Sequence, residues 1–314
     1  MNTSAPQPPF AVQVEDLVKT YAQSEALKSI SFNVAHNELF GIIGPDGGGK
    51  TTLFRILTSL MLPTSGNALT YGYDVQKDYK EIRKIIGYMP GQFSLYQDLT
   101  VEENLQFFAR IFGASISENY ELIAEIYDHI KPFKDRRAGD LSGGMKQKLA
   151  LSCALIHYPK ILFLDEPTTG IDAVSRMELW SMLKSLKKKG VTIIVSTPYM
   201  DEALLCDRIL LMQEGSILDS NTPKGIINNF QKQIVAIETH NNKESIKGLR
   251  RLPYLDSVHT FGYEIHATST ETIDTPQLKN DLEKMGYQDI NVRNIEPTIE
   301  DCFMDLMQNN ESHG

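Results

Sequence analysis

Apolar and polar positions follow two different rhythms along the chain, and the change from one to the other marks its parts. Ala11–Val18 and Ile30–Val34 read as strands, and Glu38-Leu39-Phe40-Gly41-Ile42-Ile43 is a short apolar run closed by glycine, the mark of a buried strand. From Thr51 to Leu57 the apolar residues fall three and four apart, which predicts a helix. From about residue 94 to 158 this helical rhythm dominates. Val101–Phe108 opens one amphipathic helix, with Thr100 and Glu103 spaced as a capping box at its start, Tyr120–Ile130 forms another, and Met145–Ala154 a third. Strand rhythm returns at Lys160–Leu164, Val191–Ser196 and Arg208–Met212. The character changes near Thr222-Pro223. Beyond it come Gln233–Ile237 (strand), Lys243–Arg250 (helix) and Ser257–Thr268, which is one bent strand or a hairpin around Gly262-Tyr263. Pro276–Met285 (helix) and Ile290–Ile295 (strand) complete a β-α-β-β-α-β order, that of a small split βαβ domain.

The length of 314 residues allows one large domain and a smaller one. The expected division is a loose polar tail over 1–10, a main α/β domain over 11–222 and a small α+β domain over 223–314. A formal net charge of −9 excludes nucleic acid as the main partner, because phosphate contacts need clustered Lys and Arg. The basic run Lys187-Lys188-Lys189 precedes Gly190, where it complements a helix dipole better than it binds a polyanion. Cys153, Cys206 and Cys302 lie far apart without metal-ligand spacing and read as reduced core residues of a cytosolic protein. No run approaches the roughly 18–20 apolar residues of a membrane helix, and Met1–Pro9 lacks the apolar core of a signal peptide. A cytoplasmic location is expected, and any membrane partner must be another polypeptide.

Candidate chemistry begins at Gly44-Pro45-Asp46-Gly47-Gly48-Gly49-Lys50-Thr51-Thr52. Glycines between a strand and a helix let backbone N–H groups turn inward around phosphate oxygens, and the helix dipole adds to that field. Lys50 is placed to reach the β- and γ-phosphates of a nucleotide, and the Thr51 hydroxyl to ligate Mg²⁺. Asp165 and Glu166 follow the apolar run Lys160–Leu164 and so stand at a strand's carboxyl end, where open parallel sheets bind ligands. Asp165 suits Mg²⁺, and Glu166 suits orienting or deprotonating the attacking water. The plain alternatives are a glycine-rich turn and a solvated Asp-Glu loop; the flanking strand and helix weigh against both.

Leu141-Ser142-Gly143-Gly144-Met145, followed by Ile161-Leu162-Phe163-Leu164-Asp165-Glu166-Pro167, resembles the ATP-binding cassette ATPases, the motor subunits of ABC transporters. The likeness covers roughly the first 230 residues. Glu296-Pro297-Thr298-Ile299-Glu300-Asp301-Cys302-Phe303 resembles the closing segment of the drug-exporter branch, with Pro297 and the acids after it suiting a helix's first turn. The resemblance implies a P-loop NTPase cassette: a mixed sheet with a helical subdomain over about 94–158. It further implies two cassettes head to tail, each ATP held by the phosphate loop, Asp165 and Glu166 of one subunit and by Leu141–Met145 of the other. Ser142-Gly143-Gly144 give that role a physical basis, since bare N–H groups and a hydroxyl at a helix N-terminus attract anions. By the same likeness Tyr21 stacks on adenine, although an isolated Tyr is as readily a surface residue. Gln92 touches Mg²⁺ and reports to the membrane subunit, and Asp172 signals across the dimer. Phe93, Leu95 and Tyr96 either face the partner's coupling helix or belong to the helical-subdomain core.

Met145 stands where many cassettes carry Gln, a swap found in the exporter branch. Pro198 stands where the family places a His that hydrogen-bonds the γ-phosphate, and proline has no such donor. Slow hydrolysis, a substitute donor or an asymmetric dimer with a His-containing cassette are the open consequences; a homodimer remains the other arrangement. The implied function is ATP hydrolysis that powers export, peripheral on the inner face of a membrane and bound to a separate permease. A soluble cassette clamp is the alternative, but such clamps carry long coiled coils or paired cassettes with basic arms. The cargo is not written in this chain.

Overall fold

The computed structural model describes residues 7–311, without the side chains of 309–311. The chain divides after Thr222 into two compact units.

In the first unit, β1 (Val12–Tyr21) turns through two residues into β2 (Ser24–Val34), both longer than their apolar runs. The five residues of β3 (Leu39–Ile43) are all buried, and the strand feeds α1 (Lys50–Leu57) through the glycine loop. Next come β4 (Ser65–Thr70), β5 (Tyr73–Asp74), α2 (Tyr79–Ile85) and β6 (Ile86–Met89). The helical stretch holds α3 (Val101–Ile111), α4 (Tyr120–Tyr127) and α5 (Gly143–Leu155). Strands and helix then alternate as β7 (Ile161–Asp165), α6 (Ala173–Lys188), β8 (Thr192–Thr197), β9 (Arg208–Gln213) and β10 (Ser216–Asn221).

Two sheets result. The order β2-β1-β4-β5 is antiparallel. The order β10-β9-β3-β8-β7-β6 is parallel from β9 to β6 and closed by antiparallel β10. The fold is thus a mixed-sheet α/β cassette. Its core is sealed by α1, whose Leu53, Phe54, Ile56 and Leu57 are fully buried, with Phe54 edge-on to Phe163 of β7 at 5.6 Å. Burying one such side chain contributes about 1.5–3 kcal/mol, so this face fixes α1 on the sheet.

The capping box at Thr100 is present in both directions: Thr100 N donates to Glu103 Oε2 (2.8 Å) and Glu103 N to Thr100 Oγ1 (3.2 Å). Helix α4 stops at Tyr127, short of the expected Ile130, and the chain goes on through a 3-10 turn at Lys131–Phe133. The sequence reading did not anticipate β4, β5, β6 or β10. All are short: β6 is apolar and mostly buried but only four residues long, and every residue of β10 is only half-buried. All three cysteines are buried, and none is in a disulfide. Of the expected loose tail, residues 1–6 lie outside the described residues; Pro8 O accepts a hydrogen bond from His36 Nε2 at 2.7 Å, and Ala11 is buried. Among the described residues no helix is long and apolar enough to cross a membrane.

The second unit begins with α7 (Pro223–Asn228), β11 (Gln233–Glu238) and α8 (Asn242–Leu249). Ser257–Thr268 resolves as a hairpin, β12 (Ser257–Phe261) and β13 (Glu264–Ser269), turned at Gly262-Tyr263. Then follow α9 (Thr275–Lys284), β14 (Asn291–Asn294) and α10 (Ile299–Glu311). The sheet order is β12-β13-β11-β14, every pair antiparallel. Val235, Ile237, Leu249, Ile265, Leu278 and Leu282 form its core. Pro297 does not open α10 as expected. Thr298 and Asp301 do: Thr298 N donates to Asp301 Oδ2 (2.8 Å) and Asp301 N to Thr298 Oγ1 (3.3 Å).

Candidate functional site

The phosphate loop hangs between β3 and α1. Helix α1 starts on Gly49, which has a φ of 101°, and a Cβ there would sit 2.5 Å from Ala26 O, so only glycine lets the loop lie against β2. With no side-chain cap on Gly49, the N–H groups of the first turn lack an intrahelical acceptor and remain available to an anion. A cavity of about 330 Å³ opens here, lined by Ala26, by 46–52 and by Glu166. Gly44 and Pro45 face it differently: their carbonyls accept from Lys50 Nζ at 2.8 and 3.0 Å. Lys50 is 3% exposed, and its ammonium also pairs with Glu166 Oε1 at 3.3 Å. A buried cation aimed at one side of a glycine-lined cavity, with the Thr51 and Thr52 hydroxyls beside it, fits a triphosphate chain.

Asp165 ends β7 and is 3% exposed; Glu166 follows it with a φ of 50°, a left-handed conformation uncommon outside glycine. The parallel pairing of β7 with β8 sets Asp165 opposite Ser196. Ser196 Oγ donates to Asp165 Oδ1 (2.6 Å), and Glu166 N donates to Ser196 O (3.0 Å) and Ser196 Oγ (3.1 Å). Burial, together with the negative charge of Asp165, pushes the nearby Tyr88 phenol up to about 12. Tyr88 therefore stays neutral and adds no charge beside the carboxylates. The Thr51 hydroxyl in the cavity lining and a buried carboxylate directly before the cavity-lining Glu166 are oxygen donors suited to Mg²⁺, which prefers such ligands and keeps some of its water.

The structure brings Asp46 to Thr52 and Glu166 together on the phosphate cavity, with Asp165 directly before Glu166 and bonded to Ser196; the other candidates lie outside that lining. Tyr21 lies at the end of a paired strand; it is 39% exposed, with its hydroxyl 3.4 Å from Thr52 Oγ1. Gln92 lines a separate cavity of about 400 Å³ with Phe93 and Leu95, although Gly91 packs on the backbone of Asp165. Of the three residues for which a partner-facing and a core reading were both open, Leu95 is 8% exposed, Phe93 is half-buried and Tyr96 is 51% exposed. Leu141 to Met145 lie at the start of α5, where Ser142 Oγ accepts from Met145 N at 3.4 Å. None of the five lines the phosphate cavity. A Cβ on Gly144 would approach Ser175 Oγ to 2.7 Å and its Cβ to 3.1 Å, so this segment rests closely on the start of α6. Asp172 caps α6, accepting from Val174 N and Ser175 N at 3.0 Å each, and hydrogen bonds from Ser175 hold its carboxyl below the usual value.

Pro198 follows β8 directly, ahead of a 3-10 turn at Met200–Leu205. Sequence reasoning missed what surrounds it. Glu202, 1% exposed, accepts from Thr168 Oγ1 (3.1 Å) and Thr197 Oγ1 (2.5 Å), and Arg176 Nε lies 3.6 Å from its other oxygen. The Arg176 guanidinium sits 4.3 Å from the centre of the Tyr199 ring. No local motif signals this group; only the register of β8 and the start of α6 bring it together.

A phosphate loop after a central parallel strand and a carboxylate pair at the end of another define a P-loop nucleotide-binding cassette. The chain belongs to the ABC transporter family of ATP-binding proteins, whose family model matches residues 27–169. It is 34% identical to the Nod factor export ATP-binding protein I of Rhizobium sp. (strain N33), over 94% of this chain and 96% of that protein. It is 30% identical to the linearmycin resistance ATP-binding protein LnrL of Bacillus subtilis (strain 168), over 94% and 97% of the two chains. It is 41% identical to the "Probable multidrug ABC transporter ATP-binding protein YbhF" of Escherichia coli (strain K12), over 68% of this chain but only 37% of that protein's length. Among solved structures, an ATP-binding subunit of an ABC transporter superposes with a TM-score of 0.64 at 27% identity, covering 70% of this chain and 93% of that one. A dimeric cassette in a post-hydrolysis state, bound to ADP and Pi, gives a TM-score of 0.61 at 28% identity, covering 67% and 98%.

Proposed function

We propose that this chain is the ATP-hydrolysing subunit of an exporter, working as one of two cassettes on the inner face of a membrane against a separate permease. The observation that carries the reading is that buried Lys50 and Glu166 pair on one glycine-lined cavity, with buried Asp165 directly before Glu166 in the chain, while the Ser142-capped end of α5 lies outside it. A cavity open beyond its own lining and a spare anion-binding helix end in one chain are complementary halves, so a second cassette completes each site. Relatives named for export and resistance favour the transporter over the soluble clamp. The apolar cavity lined by Gln92, Phe93, Leu95, Ile111 and Phe112 suits a helix of the permease.

In this reading the backbone of Gly47 to Thr52 and the Lys50 ammonium bind and neutralise the phosphates of ATP. Thr51 and Asp165 hold Mg²⁺, which supplies a Lewis acid at the phosphate oxygens. Glu166 orients the attacking water and accepts its proton. To do so Glu166 must leave Lys50, and the incoming phosphate charge provides the competitor for that ammonium. Ser142, Gly143 and Gly144 present donors to the partner's nucleotide, Met145 packs beside them, and Tyr21 offers its ring to the base.

The test is the assembly state of Glu166→Gln. With ATP and Mg²⁺ this variant should elute as a dimer, alone or with a second cassette, and return to monomer when nucleotide is removed. Wild-type turnover by Glu166→Gln, or ATP binding without any pairing, would overturn the reading.

A further inference from the structure

We propose that Ser196 is a positioning residue, whose hydroxyl fixes the Asp165 carboxylate and the backbone of Glu166 in their working orientation. The inference rests on the roles just given to Asp165 and Glu166. Three hydrogen bonds carry it: Ser196 Oγ to Asp165 Oδ1 at 2.6 Å, Glu166 N to Ser196 Oγ at 3.1 Å, and Glu166 N to Ser196 O at 3.0 Å. One hydroxyl thus donates to the metal-site carboxylate and accepts from the residue that handles the water. Ser196 is fully buried and Asp165 is 3% exposed, so water is poorly placed to replace the bond.

The backbone it holds is strained. Glu166 has a φ of 50°, and a left-handed non-glycine residue persists only where its surroundings determine it. The parallel register that sets Asp165 opposite Ser196 supplies that determination. The next residue of β8 points to the other face and ties the same segment further on: Thr197 and Thr168 both donate to buried Glu202. Residues 165–168 are therefore tethered to the end of β8 by hydroxyls at two points, immediately before Pro198. Ser196 acts through Asp165 and Glu166.

The experiment compares full-length wild type with Ser196→Ala, Ser196→Cys and Glu166→Gln. Each is titrated with a fluorescent ATP analogue in EDTA, then with Mg²⁺ at fixed nucleotide, and assayed for turnover. Ser196→Ala should bind nucleotide in EDTA within about twofold of wild type, need about tenfold more Mg²⁺ for half-saturation, and lose about tenfold in kcat with little change in KM. Ser196→Cys should fall between the two, because a thiol keeps the shape but donates weakly. A folded Ser196→Ala with wild-type Mg²⁺ demand and kcat overturns the proposal, and so does a loss of binding already present in EDTA, which would mean general damage. If Ser196→Ala does not fold, Ser196→Cys decides, and equality with wild type sinks the idea. If the isolated chain turns over no ATP, the Mg²⁺ titration decides alone. Normal turnover by Glu166→Gln would instead overturn the reading of the site itself, whereas an inactive Glu166→Gln beside a normal Ser196→Ala removes only Ser196.

Discussion

The cassette and the C-terminal unit are built from similar materials: each lays helices on a sheet and buries an aliphatic core. They differ in strand direction. In the cassette β3, β7 and β8 run parallel, so their carboxyl ends fall on one edge, where Lys50 after β3 meets Glu166 after β7 and Asp165 at the end of β7 meets Ser196 near the end of β8. In the C-terminal unit every neighbouring pair is antiparallel, and successive strand ends alternate between edges. Its buried titratable pair, His266 Nδ1 and Asp301 Oδ1 at 2.7 Å, is satisfied locally: Thr298 also bonds Asp301 and Phe261 stacks on His266 at 4.1 Å. Buried polar side chains thus gather beside a glycine-lined cavity in one unit and make a structural fastening in the other. Convergence needs parallel ends, whereas pairing needs only two elements in contact.

The sharpest test of this contrast is Glu166→Gln, which should lower turnover by about 10²–10⁴-fold while ATP binding persists, as expected for a lost general base. In the C-terminal unit, truncating the fully buried Leu278 to Ala should cost about 2–5 kcal/mol of that unit's stability, read by thermal denaturation. It should leave ATP affinity unchanged, as should ending the chain after Thr222; loss of ATP binding by a folded truncated protein would break the division. Lys50→Ala should weaken ATP binding by about 1.5–3 kcal/mol, measured by nucleotide titration, because a charge-assisted contact disappears. Pro198→His should do the reverse for chemistry. Turnover per site should rise about ten- to a hundredfold with little change in affinity, and a flat result means another donor already serves.

The smallest effect concerns pH. Burial works to raise the Asp301 carboxyl, but hydrogen bonds from His266 and Thr298 outweigh it and hold the value below the usual carboxylate range. A depressed folded value means the stabilisation is present above the unfolded value of about 3.9 and is lost as pH falls through the folded one. Melting of the C-terminal unit followed below about pH 4 should show this loss in wild type, and Asp301→Asn should flatten it.

What the sequence determined is local in origin. The glycine loop at 44–51, the helix after it, the Thr100–Glu103 capping box and the apolar strands at 39–43 and 161–165 are each dictated by residues within a few positions of one another, through backbone freedom, side-chain capping and burial period. The order of elements in the tail was legible for the same reason, whereas half-exposed β10 and the two-residue β5 left no apolar trace. The candidate site was legible as far as its motifs reach: Lys50, Asp165 and Glu166 were readable singly, because each sits at the end of a readable strand or loop. Their arrangement was decided by tertiary structure. The Lys50–Glu166 ion pair spans 116 positions, Ser196 meets Asp165 only because β7 and β8 are neighbours in one register, and Leu95 turned inward while Tyr96 stayed exposed, a choice the sequence left open. Such contacts depend on which strand lies beside which and in what register, a choice made by packing the whole sheet and carried by no short stretch of chain.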